Sequence, residues 1–248
     1  MRKPNGRSPV VLVCEHASNF FPPELRGLGL EPAVRESHIA WDLGALPVAE
    51  VMAERLDATL VNARVSRLVY DCNRPPHAPD AMPARSEIFD VPGNASLDEA
   101  ERALRTELVY QPFREALAEV LSGRDGRPTV MVTIHTFTPI YKGVTRDVEL
   151  GILCDEDARL ADAMLQVAAR HTSLDVRRNE PYGPADGVTH TLIEHGLSNG
   201  ILNVMIEIRN DLVRTGEQQA GMAHMLCDVL EEALAGLGVQ MMAEGAGS

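Results

Sequence analysis

Short runs of consecutive apolar residues alternate along the chain with longer stretches in which apolar residues recur every three or four positions. Continuous apolar runs are typical of strands buried on both faces of a sheet, and the longer periodic stretches are typical of amphipathic helices. The runs predict strands over Pro9–Cys14, Thr59–Asn62, Leu68–Asp71, Thr129–Ile134, Val148–Cys154 and Gly200–Ile208. The periodic stretches predict helices over Asp42–Leu56, Ser96–Leu121, Asp157–His171 and Asp211–Leu237. Strands that alternate with helices indicate an α/β protein whose sheet is covered on both faces.

The connections between these elements contain no Gly/Ser-rich linker, which favours one domain spanning residues 1–248. The longest connection, Asn73–Asn94, is rich in proline, alanine and charged residues and is predicted to be a loop. Loops of this length inside compact domains are usually functional or disordered. Just beyond it, Ser96 and Glu99 have the spacing of a helix capping box.

Polar side chains stand at the ends of three predicted strands. They are Glu15-His16, His135-Thr136 and Glu207. In open α/β sheets, ligands bind at the carboxyl ends of the strands. These side chains are therefore predicted to meet in one pocket although they lie far apart in sequence.

His16 and His135 are candidate ligands of a divalent metal, most readily Zn²⁺, because neutral imidazoles are common zinc ligands. Each has the alternative role of a hydrogen-bonded structural histidine. A catalytic zinc site has three protein ligands and an open position, so a third ligand is needed. The candidates are Asp42, Glu15 and His38. Asp42 stands at a predicted helix start, where its alternative role is to cap the helix.

Glu207 is a carboxylate inside the apolar run VMIEIRND. Burying a carboxylate without a partner is costly, so Glu207 either pairs with an arginine or serves as a base beside an activated water. Burial raises the pKa of a carboxyl group toward neutrality, which suits a general base. The position therefore favours a catalytic role.

The segment Asp71-Cys72-Asn73-Arg74 enters the long loop, and Arg67 precedes Asp71 by four residues. The guanidinium of arginine binds carboxylates with two parallel hydrogen bonds. Arg67, Asn73 and Arg74 are therefore candidates for holding an anionic substrate. The alternative is an Arg–Asp pair on the surface, which would contribute little.

The formal net charge of −13 disfavours nucleic acid and anionic membranes as partners. It leaves room for a small anionic substrate held by local arginines. No apolar stretch approaches the length of a membrane span, and the four widely spaced cysteines indicate reduced thiols and a cytoplasmic location. The chain lacks the dinucleotide, phosphate-loop and HExxH motifs, and a serine hydrolase with a nucleophile elbow is not expected.

Five segments together resemble the N-formylglutamate amidohydrolase family. They are VLVCEHASN, HIAWDLGA, SRLVYDCNRPP, the strand leading to His135-Thr136, and VMIEIRNDL. The resemblance extends from about Val10 to Leu212, and the same order of segments resembles the wider zinc carboxypeptidase and aspartoacylase-like superfamily. It implies a three-layer α/β/α sandwich with a mixed, mostly parallel sheet, similar to the phosphorylase/hydrolase-like fold.

This resemblance implies hydrolysis of the amide bond of a small N-acyl amino acid. The expected substrate is N-formyl-L-glutamate, whose hydrolysis to formate and L-glutamate fits histidine catabolism. The implied site consists of the metal ligands His16, Asp42 and His135, the base Glu207, and the substrate-binding residues Arg67, Asn73 and Arg74.

One position departs from the superfamily pattern. A glutamate ligand usually stands three residues after the first histidine, and here that position is Asn19. Asp42 is the expected replacement. Two other functions remain open at this point. One is a carboxypeptidase-like or other N-acyl amino acid hydrolase with the same metal centre, and the other is a non-catalytic binding protein that has lost the metal.

Overall fold

Six strands form one mixed sheet in the computed structural model, which describes residues 1–124 and 128–241. The strands are β1 (Val10–Cys14), β2 (Thr59–Asn62), β3 (Val130–Phe137), β4 (Leu150–Leu153), β5 (Val176–Arg178) and β6 (Leu202–Arg209). Their order across the sheet is β2-β1-β3-β6-β4-β5. The first four run parallel to one another, β4 is antiparallel to β6, and β5 is parallel to β4. The predicted mixed, mostly parallel sheet is confirmed.

Five larger helices cover the sheet. They are α1 (Ala45–Leu56), α2 (Glu99–Arg105), α3 (Gln111–Ser122), α4 (Arg159–Ala168) and α5 (Gly216–Gly236). The smaller elements are the helical turns Pro23–Gly29, Pro32–Arg35, Pro79–Ala81, Pro92–Asn94, Thr106–Tyr110, Pro184–Asp186, Leu192–Gly196, Leu197–Asn199 and Asn210–Leu212, a hairpin of Arg85–Ser86 with Phe89–Asp90, and a hairpin of Ile140–Tyr141 with Val144–Thr145. Within residues 1–124 and 128–241, no helix combines the length and apolar character that crossing a membrane requires.

The alternating side chains of the strands enter two separate cores. Val10 and Leu12 of β1 pack with α1, α4 and α5 on one face of the sheet. Val11 and Val13 pack on the opposite face with Leu117 of α3. Because successive strand residues point to opposite faces, one short apolar strand contributes to both cores. This arrangement confirms the three-layer sandwich.

The helix predicted from Ser96 begins later and is divided. Asp98 caps α2, since its carboxylate accepts a hydrogen bond from the Glu101 N–H at 2.8 Å and the Glu101 carboxylate accepts one from the Asp98 N–H at 3.0 Å. A wider π-helical turn at Thr106–Tyr110 separates α2 from α3. Pro112, at the start of α3, has no N–H to donate to the preceding turn, which accounts for the irregularity.

The predicted strand Leu68–Asp71 is wrong. The N–H groups of Val69 and Tyr70 donate to the carbonyl of Ser66, at 2.9 and 3.4 Å, so the segment forms a turn. Leu68 and Val69 are buried in a third, smaller core outside the sheet. Their apolar character comes from burial beneath loops rather than from pairing with a neighbouring strand.

Candidate metal centre and active site

The parallel strands β1, β3 and β6 lie side by side, so their carboxyl ends meet at one edge of the sheet. His135 of β3 and Glu207 of β6 are direct partners in the strand register. His135 lies four residues beyond Met131 and Glu207 lies two residues beyond Met205, both methionines of the α3-facing core, so both side chains point to the same face. His16 stands in the turn that follows β1. The three predicted strand ends therefore do supply neighbouring side chains.

His16, Asp42 and His135 form a buried cluster whose candidate ligand atoms all lie within 4.8 Å of one another. His16 Nδ1 and His135 Nδ1 lie 3.3 and 2.9 Å from Asp42 Oδ2. The two Nδ1 atoms are 3.1 Å apart. The same nitrogen of each imidazole and one carboxylate oxygen thus converge on a single point.

Asp42 reaches the cluster through the turn that precedes α1. Its N–H donates to the His16 carbonyl at 3.0 Å, and its Oδ2 accepts a hydrogen bond from the Thr136 N–H at 3.2 Å. The N-cap of α1 is Gly44, which has a φ of 86° and no space for a Cβ against Val213. The alternative role of Asp42 as a helix cap is therefore wrong.

The outer nitrogen of His16 contacts a second buried carboxylate. His16 Nε2 lies 2.7 Å from Asp71 Oδ1. Arg67 donates to Asp71 Oδ2 at 2.8 Å and to Asp42 Oδ1 at 3.4 Å, linking the two carboxylates. Burial opposes ionisation, but His16 and Arg67 outweigh it and hold the pKa of Asp71 well below its usual range. Asp71 therefore remains an anion beside His16.

The donor set fits a divalent metal. Two imidazole nitrogens and one carboxylate oxygen are the ligand types that Zn²⁺ binds. The same three atoms either share ring protons in hydrogen bonds to Asp42 or, once those protons are released, surround a cation as its ligands. His16, Asp42 and His135 can therefore hold such an ion.

The two other candidates for a third ligand lie outside the cluster. Glu15 Oε2 is 3.1 Å from His135 Nε2, on the side of the ring that faces away from Asp42. His38 Nε2 is 2.8 Å from Glu87 Oε1, in a separate pair. The geometry therefore favours Asp42 over both.

Glu207 is buried beside the cluster, and its Oε2 makes no hydrogen bond within the part of the chain that the structure describes. Burial raises the pKa of this carboxyl group to about 7, although His135 opposes the change. Arg209, the arginine nearest in sequence, pairs instead with Asp211 and Glu149. Glu207 is thus a buried carboxylate without an arginine partner among the described residues.

The cluster and Glu207 line one cavity of about 310 Å³. Phe137, Tyr141 and Tyr182 form an aromatic part of its wall. The Arg146 guanidinium carbon stacks on these three rings, 5.6, 4.5 and 4.7 Å from their centroids. Neither these aromatic residues nor Arg146 followed from the strand pattern, because all of them lie in or beside loops and a short hairpin.

Gly151 allows the segment carrying Tyr182 to lie against the sheet. Gly151 is the register partner of Glu207 on β4, and a Cβ there would come within 2.0 Å of the Glu180 carbonyl oxygen. Only glycine permits such a close approach of backbone to strand. The approach places Tyr182 in the cavity wall.

Arg67, Asn73 and Arg74 all line the cavity, each with partners of its own. The Asn73 amide donates to the Val188 carbonyl at 2.6 Å and accepts from the Thr191 N–H at 3.0 Å. Arg74 donates through Nε to Asp80 at 2.6 Å and through Nη1 to the Asn73 carbonyl at 2.9 Å. Its Nη2 has no hydrogen-bond partner among residues 1–124 and 128–241, so this donor is available to a ligand.

One segment of the chain matches the GxSxG motif of serine hydrolases but is unrelated to the site. Gly196–Gly200 reads GLSNG, the spacing of a nucleophile elbow, but it precedes β6 instead of following a strand. Ser198 is exposed, and its hydroxyl donates to the Ile193 carbonyl at 2.8 Å. This serine lacks the strand–turn–helix context that the motif requires.

A family model described as N-formylglutamate amidohydrolase matches residues 8–214. Among solved structures, the gene product Atu2144 from Agrobacterium tumefaciens is 54% identical with a TM-score of 0.93, over 96% of this chain and 94% of that chain. N-formylglutamate amidohydrolase from Ralstonia eutropha JMP134 is 18% identical with a TM-score of 0.62, over 92% of this chain and 95% of that chain, a likeness of fold. No curated protein matches the chain.

Proposed function

The chain belongs to the N-formylglutamate amidohydrolase family, and from this premise we propose that it is a metal-dependent hydrolase of N-formyl-L-glutamate. The products would be formate and L-glutamate. The observation that carries the proposal is the convergence of His16, Asp42 and His135 beside the buried carboxylate of Glu207 in one cavity. We place the reaction in histidine catabolism and in the cytoplasm, in keeping with the family and with the four buried thiols.

In this proposal, His16, Asp42 and His135 hold a divalent metal, Zn²⁺ being the best match to two imidazoles and a carboxylate. When bound, the ion supplies a Lewis acid that activates water and polarises the amide carbonyl. The supporting observation is the donor set itself, buried and directed to one point.

Glu207 is the proposed general base and acid. It takes a proton from the attacking water and returns it to the nitrogen of the leaving amino acid. The supporting observations are its position in the cavity next to His135 and the absence of an arginine partner among the described residues.

The cavity arginines are proposed to hold the anionic parts of the substrate. Arg74 keeps Nη2 for a substrate carboxylate, while Asn73 holds the segment around Val188 against the cavity. Arg67 is bonded to Asp42, so it lies close to the reacting carbon and suits the developing oxyanion.

A substrate panel with Zn²⁺-reconstituted protein tests the proposal. N-formylglutamate is expected to have the highest kcat/KM among N-formyl, N-acetyl and peptidyl derivatives of glutamate and aspartate. Faster cleavage of a peptide with a C-terminal glutamate would assign carboxypeptidase-like activity instead. Failure to retain metal, together with no turnover of any amide, would instead identify the non-catalytic binding protein.

A further inference from the structure

We infer that Glu15 is a positioning residue that orients His135 for metal binding, an inference that rests on the metal centre proposed above. Glu15 follows β1 directly, and its side chain is completely removed from solvent. Its Oε2 lies 3.1 Å from His135 Nε2, the ring nitrogen opposite the one that faces Asp42. The carboxylate thus stands behind the imidazole, outside the cluster.

No hydrogen bond of good geometry reaches either oxygen of Glu15 or Nε2 of His135 within residues 1–124 and 128–241, and Thr191 is the other polar neighbour of the Glu15 carboxylate. The two groups are within ion-pair distance but are not aligned for a hydrogen bond. A buried carboxylate in this condition is costly to the folded chain. This cost is explained if binding of a metal ion to His135 Nδ1 aligns the Nε2 of the same ring with the Glu15 carboxylate.

The second histidine has the same arrangement. His16 directs Nδ1 to Asp42 and Nε2 to Asp71, at 3.3 and 2.7 Å. Each imidazole therefore has its inner nitrogen in the cluster and its outer nitrogen against a buried carboxylate. A carboxylate there favours the tautomer with the proton on Nε2, which leaves the Nδ1 lone pair free for a metal.

The two carboxylates differ in their other partners. Asp71 is shared among His16, the Arg67 guanidinium and the Asn73 N–H. Glu15 has His135 as its one ion-pair partner in the described part of the chain. Its charge therefore acts on His135 without being offset by an arginine, which makes Glu15 the cleaner position for a test.

The experiment compares wild type, Glu15→Gln and Glu15→Asp by Zn²⁺ competition against a chelator and by thermal unfolding of the metal-free protein. Glu232→Gln is the matched control, because Glu232 Oε2 lies 2.6 Å from His171 Nε2 in a surface pair. Glu15→Gln is expected to weaken Zn²⁺ binding by about 10- to 100-fold, the usual effect of losing such a partner. The metal-free Glu15→Gln protein should unfold no earlier than wild type, because the unaligned carboxylate is costly to the metal-free fold, and the control should match wild type.

A structural ion pair would behave differently, since its loss lowers the thermal stability of the metal-free protein and leaves the Zn²⁺ affinity unchanged. A Zn²⁺ affinity equal to wild type in Glu15→Gln would overturn the inference. If Glu15→Gln does not fold, Glu15→Asp takes its place. This variant keeps the charge, but its shorter side chain moves the carboxylate away from His135 Nε2. Wild-type Zn²⁺ affinity in Glu15→Asp would overturn the inference equally. Failure of wild type to bind Zn²⁺ would instead reject the proposed metal centre.

Discussion

The two faces of the central sheet carry different side chains at the carboxyl ends of the same strands. On the face covered by α1, α4 and α5, Ile134, Ile206 and Ile208 are fully buried in an apolar core. On the other face, one residue along, stand His135 and Glu207. Because successive strand residues point to opposite faces, a shift of one residue along the strand leads from the apolar core to the candidate active site.

The two faces also differ in what covers them. Long helices pack over the apolar face along the whole strand length, whereas at the strand ends the site face is covered by loops and by two short hairpins. Loops leave a cavity where helices would fill it. The apolar face therefore supports the strands while the opposite face supplies the chemistry, and substitutions on the two faces should have separable effects.

The largest effect is expected from His135→Ala on the site face. Removing this imidazole leaves two ligands, so stoichiometric Zn²⁺ binding and turnover should both be lost. Elemental analysis of dialysed protein and an assay of formate release measure the two. Far-UV circular dichroism should match wild type, and a variant that keeps one zinc per chain would mean that His135 is not a ligand.

Glu207→Gln should have the next largest effect. The amide keeps the shape of the side chain but cannot accept a proton, so kcat should fall by roughly 10²–10⁴. Zinc content and KM should stay near the wild-type values, because the lost interaction belongs to the transition state. Ile206→Val, the neighbouring residue on the opposite face, is the control and should leave kcat unchanged. A near-normal kcat in Glu207→Gln would remove the proposed base.

Ile134→Ala, one residue before His135, addresses the apolar face. Its side chain is fully buried, so deleting it should cost about 2–5 kcal/mol of unfolding free energy. Urea unfolding of the zinc-free protein measures this loss. The folded variant should keep the zinc affinity and kcat of wild type, and a large loss of either would show that the two faces are not separable.

Much of this comparison was predictable from sequence, because it depends on local pattern. A polar residue that follows or interrupts a continuous apolar run marks the carboxyl-terminal part of a strand, and this pattern located His16, His135 and Glu207. The run Val130–Phe137 is longer than predicted, since His135 and Thr136 continue the strand. A polar residue at a strand end interrupts the apolar pattern without ending the hydrogen-bonded ladder.

Other parts depend on contacts between distant segments. The position of Asp42 is set by its hydrogen bonds to His16 and Thr136, and that of Asn73 by its bond to Thr191. The turn at Leu68–Asp71 could not be predicted from local pattern either, because an apolar run that is buried under loops looks the same in sequence as a strand. Tyr182 reaches the cavity only because Gly151 admits the neighbouring backbone.

Arg74→Ala should have the smallest effect and should tell which part of the substrate faces the cavity arginine. Arg74 donates to the half-exposed Asp80 and to the Asn73 carbonyl, and its own side chain is 11% exposed, so its removal should cost a stability loss of about 1 kcal/mol. Its Nη2 is proposed to donate to a substrate carboxylate, and a hydrogen bond between charged groups contributes about 1.5–3 kcal/mol, or about 10- to 100-fold in kcat/KM.

The measurement compares N-formylglutamate with N-formylglutamine and N-formylisoglutamine, each of which lacks the charge of one carboxylate. The analogue whose kcat/KM is insensitive to the substitution identifies the carboxylate that Arg74 contacts. Arg177→Ala, an arginine paired with Asp175 and Glu180 away from the cavity, should leave all three substrates unaffected. Equal losses on all three substrates would mean that Arg74 acts on the oxyanion or on the structure of the loop, and that another group reads the carboxylate.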